Sequence, residues 1–322
     1  MNRNDAIVNG LLKRTQITRE DAEYLIKADL WDLLHGANRL RRHFKGDKIG
    51  LCSIINAKSG NCAEDCRFCA QSVHHSAEAK TYPLVSNDEI HKGFRHARQI
   101  NANGYSIVTS GNELTDTEVD TLCEVIQDIP QDETYLCGSL GRLTPQRAKQ
   151  LKSAGLSKAH HNIETSRRFF EQVCTTHTYD ERLETIRILK ETGFKVCSGG
   201  IFGMGETWPD RLDMAFTLRE LDVDSVPLNF LMSIKGTALE NTAPLAPLEI
   251  LKIIALFRYI LPGKNIRVCA GRERNLRDLQ SWIFFAGADG MMIGGYLTQP
   301  GRNVEDDLQM IRDLGLIAER HG

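Results

Sequence analysis

The chain has 322 residues, 41% hydrophobic and 25% charged, the composition of an ordinary globular protein. Its net charge of −2 supplies no basic excess for nucleic acid or an anionic membrane. No stretch approaches the apolar length of a membrane span, and Met1 to Glu20 has no apolar run of the kind a signal peptide carries, so a cytoplasmic protein is expected.

Residues 1–45 read as a helical extension. Thr18 is placed to cap a helix, with Asp21 three residues later, and Leu30, Leu33, Leu34 and Leu40 form a helical stripe. From residue 46 to 322 the chain alternates. The apolar, β-branched run Ile49–Ile55 predicts the first strand, and a helix follows over 87–100. Seven more strand–helix pairs are read, with strands at 105–109, 134–138, 159–162, 195–198, 225–230, 266–270 and 290–293. Their helices are expected at 115–127, 144–154, 179–192, 208–221, 247–259, 276–286 and 304–314. Eight such units predict a parallel (β/α)₈ TIM-type barrel with an N-terminal helical extension; a doubly wound open sheet is the alternative.

The loop after the first strand holds Cys62, Cys66 and Cys69, spaced C-x₃-C-x₂-C. Three close thiolates suit three corners of a 4Fe–4S cluster and leave one iron without a protein ligand, as a catalytic metal keeps one position open. The amino and carboxylate groups of S-adenosylmethionine (SAM) suit that open iron. Phe68 would shield the cluster from water. A structural zinc site with His74 or His75 as fourth ligand, or three buried thiols, are the competing readings. The spacing resembles the radical SAM superfamily.

Nine cysteines in a chain expected to be cytoplasmic point to ligands or reactive groups before disulfides. Cys52, Cys137, Cys197 and Cys269 fall on the first, third, fifth and seventh strands. In a (β/α)₈ barrel each interior layer draws on alternate strands, so these four thiols are expected to converge on the axis and hold an auxiliary iron–sulfur cluster. Small buried core cysteines are the plainer reading. Arg267 lies two residues before Cys269 and shares its direction, where it would balance a thiolate-ligated cluster or bind iron. Cys123 and Cys174 receive no role.

Longer stretches resemble the biotin synthase family. They include Lys195–Glu206, His161–Thr165, Thr178–Leu183, Ser225–Asn229 and Ala270–Glu273, and the likeness runs from about Ile49 to Leu316. The resemblance implies insertion of sulfur into dethiobiotin by a homodimeric barrel, with SAM and substrate between two clusters and a reducing electron-transfer protein as electron source. It implies SAM contacts for Asn162, Glu164 and Arg182, with Gly111, Glu113 and Ile201 also beside the cofactor. Asn162 and Asn229 would face the ureido ring of dethiobiotin, whose N–H and C=O suit an amide. Gly199, Gly200, Gly203 and Gly205 would let the backbone approach adenine.

The auxiliary ligands depart from the family pattern. Cys137, Cys197 and Arg267 match it, the cysteine due near Val108 is missing, and Cys52 and Cys269 stand where serines are usual. The change favours a relocated 4Fe–4S-type cluster with an extra donated sulfide over the usual 2Fe–2S cluster. Another radical SAM enzyme, of the methylornithine synthase or hydrogenase-maturase kind, and a non-catalytic zinc or iron–sulfur binding protein remain the rival functions.

Overall fold

The computed structural model describes residues 2–130 and 134–319. Among the described residues nine strands build the barrel wall: β1 (Lys48–Lys58), β2 (Gly104–Thr109), β3 (Tyr135–Ser139), β4 (Lys158–His160), β5 (Lys195–Cys197), β6 (Gly200–Phe202), β7 (Ser225–Phe230), β8 (Asn265–Val268) and β9 (Gly290–Met292). All pair in parallel, and β9 returns to β1 with Gly50 opposite Gly290, which closes the ring. A two-residue strand, β10 (Ile317–Ala318), lies parallel to the start of β1.

The fifth position of the barrel is filled by β5 and β6 together, where the sequence suggested one strand. Ser198 and Gly199 interrupt it. A Cβ on Gly199 or Gly200 would run into the backbone carbonyl oxygen of Pro227 or Glu164. At these two positions glycine admits the chain's own neighbouring backbone; Gly203 and Gly205 have positive φ instead.

Helices follow the strands because the connecting loops carry start signals. Ser86 with Glu89, Thr115 with Glu118 and Thr178 with Glu181 each form a reciprocal capping box at a helix start. The single helix expected at 276–286 is instead broken into Arg272–Leu276, a 3₁₀ turn and Trp282–Phe285. Arg277 has φ of +52°, which no continuous helix accommodates.

Three helices, Arg3–Leu12, Arg19–Lys27 and Leu30–Lys45, precede β1, and Thr18 accepts from the Asp21 amide as the sequence suggested. Leu33, Leu34 and Leu40 are fully buried and share one core with the Pro247–Ile260 helix. The Tyr259 hydroxyl donates to Asn4 Oδ1 at 2.6 Å, so the extension is tied into the barrel's outer layer. Among the described residues no helix is long and apolar enough to cross a membrane.

Candidate functional site

Two connected cavities occupy the barrel axis. The outer one, of about 380 Å³, opens at the C-terminal ends of the strands, where (β/α)₈ barrels place their chemistry. Cys62, Cys66 and Cys69 line it with Phe68. Their loop is held at both ends. Gln71 Oε1 accepts from Ser59 Oγ and the Gly60 amide, at 2.9 and 3.1 Å, where Gly60 takes φ of +75°. The Arg67 amide donates to the Val173 carbonyl at 3.0 Å, and Asp65 Oδ1 accepts from the Thr175 amide at 2.8 Å. The cysteine loop is thereby docked on the segment that follows β4.

Gly111, Ile201 and Arg182 line the same cavity, as do Asn162, Glu164 and Asn229. Glu164 is buried with φ of +65°, and burial raises its carboxyl pKa. Asn162 donates to Glu164 Oε2 at 3.4 Å and accepts from the Gly199 amide at 3.1 Å. Asn229 donates to the Gly200 carbonyl at 3.1 Å and accepts from the Ala270 amide at 3.0 Å. Both amides are thus fixed in orientation, and each retains one N–H and one lone pair for a ligand. Arg182 donates to the Asn162 carbonyl and to His177 Nε2, both at 3.0 Å.

Glu113 is not brought to this cavity. Its carboxylate is 62% exposed and lies 3.2 Å from Arg147 Nη1 on the outer surface. The turn after β2 swings it outward, a direction that strand alternation cannot foretell. Neither histidine of the zinc alternative reaches the thiols. His74 Nε2 meets the Ala63 carbonyl and His75 Nε2 the Cys66 carbonyl, both at 3.0 Å.

Cys174 and His177 were missed. The Sγ atoms of Cys66 and Cys174 and a ring nitrogen of His177 all lie within 4.8 Å of one another. Hydrogen bonding between the two thiols holds the Cys66 proton on and lowers Cys174 to about 4. His177 Nδ1 also meets the Glu64 carboxylate, and its Nε2 accepts from Arg182, which sets the Nδ1–H tautomer. The i, i+3 spacing of Cys174 and His177 was the available signal.

The inner cavity, of about 190 Å³, lies deeper on the axis. Cys52, Cys137, Cys197, Cys269 and Arg267 all line it. Two glycines opposite each other in the barrel wall, Gly50 and Gly290, leave the space that the Arg267 side chain fills. Burial opposes its charge, but Tyr135 and then the Cys52 and Cys197 thiols hold its pKa well above normal. A hydrogen bond from Cys269, with help from Arg267, brings the Cys52 thiol down to about 5 against burial. His160 Nε2 and Ser106 Oγ are buried in this lining without a partner, so the cavity is built for a polar occupant. Four convergent thiols and a cation fit an iron–sulfur cluster. Asn162 and Asn229 line both cavities and mark their junction. Cys123 is buried in the Asp116–Asp128 helix, away from either.

Residues 57–218 match the Radical SAM superfamily, and residues 227–317 match the Biotin and Thiamin Synthesis associated domain. The chain is 51% identical to a biotin synthase of Geotalea uraniireducens over 320 residues, covering 98% of this chain and 97% of that one. It is 50% identical to a biotin synthase of Endomicrobium trichonymphae over 313 residues, covering 97% and 98%. In fold it is similar to methylornithine synthase, with a TM-score of 0.82 at 18% identity over 98% of both chains. A maturase of the FeFe-hydrogenase superimposes with a TM-score of 0.84 at 16% identity, over 98% of this chain and 75% of that one.

Proposed function

The chain belongs to the biotin synthase family of radical SAM enzymes, which act on dethiobiotin, and from that premise we infer how its two cavities divide the work. In the outer cavity Cys62, Cys66 and Cys69 hold a 4Fe–4S cluster, and in the inner one Cys52, Cys137, Cys197 and Cys269, with Arg267 beside them, hold an auxiliary cluster of 4Fe–4S type with an extra sulfide. Held there, the outer cluster with SAM would supply one-electron radical chemistry and the inner cluster would supply sulfur.

The chain's own residues position the reactants. The Glu164 carboxylate binds the ribose hydroxyls of SAM, and Arg182, braced by His177 and the Asn162 carbonyl, binds its carboxylate. Gly111 lets the backbone approach the methionyl amino group, while Ile201 and Phe68 bury the adenosyl and cluster faces from water. Asn162 and Asn229, fixed at the junction of the cavities, offer the remaining N–H and lone pair of each amide to the ureido ring. Dethiobiotin then lies between electron source and sulfur source, and orientation and dryness are the protein's contribution. The same reading carries a cytoplasmic homodimer served by a reducing electron-transfer protein.

The observation that carries this reading is the convergence of four thiols from alternate strands on one cavity joined to the outer site. Anaerobic incubation with SAM, reductant and dethiobiotin tests it, with Mössbauer spectra before and after turnover. Biotin formed while one cluster loses sulfide is expected, from a chain with about eight irons. About four irons per chain, or biotin formed with all cluster sulfide retained, would overturn it.

A further inference from the structure

The inward face of β4 carries polar side chains at alternate positions, Lys158 and His160, and continues two residues later to Asn162. Lys158 is the register partner of Cys137 on β3, and His160 that of Cys197 on β5. Ser106 stands opposite Cys137 on the other side, so a row Ser106, Cys137, Lys158 crosses three strands. This strip separates two of the four inner thiols and has no place in the division of labour given above.

Its chemistry is that of an anion site. Among the described residues no Asp or Glu lines the inner cavity, whereas Lys158 and Arg267 both do. Lys158 Nζ sits 3.9 Å from the centroid of the Tyr135 ring, and among the described residues it has no carboxylate partner. His160 Nε2 and Ser106 Oγ are buried without partners, and leaving such atoms unsatisfied is destabilising. An anionic occupant meets the lysine, and one able to hydrogen-bond satisfies the histidine. A volume of about 190 Å³, shared with four thiols, restricts it to a few atoms.

We propose that Lys158 and His160 form a hydrosulfide-binding subsite beside the four inner thiols, through which sulfur is returned to the chain after each donation. The proposal rests on the inner cavity being the place of an auxiliary cluster. Hydrosulfide carries one negative charge for the ammonium and one S–H to donate to His160 Nε2. Its sulfur has the oxidation state of a cluster sulfide, so its return requires neither oxidant nor reductant, and the proton it sheds passes to His160 Nε2. Position on β4, between Cys137 and Cys197, delivers it to the thiols and keeps it below Asn162, clear of the outer cavity.

The test uses holoenzyme taken through one turnover and then given graded ³⁴S-labelled sodium sulfide, with acid-labile ³⁴S per chain as the readout. Lys158→Met and His160→Leu are expected to need about tenfold more sulfide for half-maximal uptake, a loss of about 1.4 kcal/mol, while Lys158→Arg stays near the parent chain. Uptake by Lys158→Met at the parent concentration would overturn the subsite. So would loss of the inner cluster's Mössbauer signal from Lys158→Met before any turnover while Lys158→Arg retains it, which would make Lys158 a counter-charge of the cluster alone. A parent chain with no second Mössbauer site defeats the underlying reading, and that result is visible before sulfide is added.

Discussion

Arg267 lies across Gly50 so closely that a Cβ on that glycine would come within 2.8 Å of Nη2. The two residues are on β8 and β1, and the contact exists because β9 between them also presents a glycine, Gly290. The glycine pair is what lets a guanidinium fit inside a barrel wall.

Gly50→Ala should therefore act on Arg267 and through it on the inner cavity. The clash falls on the far end of a flexible side chain, so the fold absorbs it at a cost of about 1 kcal/mol. The expected result is an altered spectrum of the inner cluster with an unchanged outer one, and a small change in urea midpoint. An unaltered inner spectrum would show that the guanidinium has no influence there.

Cysteine substitutions should separate the two cavities. Cys66→Ala is expected to abolish 5′-deoxyadenosine formation, since the proposed outer cluster would lose one of its three thiolates. Cys137→Ala should keep SAM cleavage in the presence of dethiobiotin and lower biotin formation at least about 100-fold, a barrier increase of about 2.7 kcal/mol. Quantifying both products by mass spectrometry checks this. Equal loss of both products in Cys137→Ala would mean that the cavities are not functionally distinct.

Much of this arrangement was legible because strands repeat every two residues and barrel strands alternate around the axis. That logic placed Cys52, Cys137, Cys197, Cys269 and Arg267 toward one another from spacing alone, and they share one cavity. The same period also contained Lys158, His160 and Asn162, which line the cavity as well. What resisted reading lies where the period ends. Glu113 follows a turn that points it at Arg147, Cys174 and His177 sit in a loop, and Arg277 breaks a helix by its backbone angle. The sequence around each of these carries no periodic pattern, so only three-dimensional packing decides it.

The two glutamates expected to contact SAM should behave differently. Glu164 is buried in the outer cavity beside Asn162 and 3.9 Å from Arg182. Its replacement by Ala removes a charged hydrogen-bond partner, worth about 1.5–3 kcal/mol, and should raise the SAM KM roughly 10- to 100-fold. Glu113→Ala removes only an exposed ion pair, worth about 1 kcal/mol or less, and should leave the SAM KM within about twofold. Equal effects would place Glu113 in the SAM site after all.

The loop bearing Glu164 depends on Asp210, and this dependence has a pH signature. The Asp210 side chain is 1% exposed. Burial opposes its charge, but it accepts from the Thr207 amide at 2.8 Å, from Ser166 Oγ at 2.7 Å and from Arg168 Nη2 at 2.7 Å, and the net effect lowers its pKa. Ser166 and Arg168 lie two and four residues after Glu164, so Asp210 pins that loop to the start of the Trp208–Glu220 helix. A carboxyl whose folded pKa is depressed contributes stability that is complete above its unfolded value, about 3.9, and lost as pH falls through the folded one. Asp210→Asn should cost about 2–3 kcal/mol at pH 7, the worth of hydrogen bonds to a buried charge. The difference between parent and variant should shrink as pH falls below about 4. Urea unfolding of both chains between pH 7 and pH 3 measures it, and a difference that stays constant across that range would show that Asp210 acts by packing and not by charge.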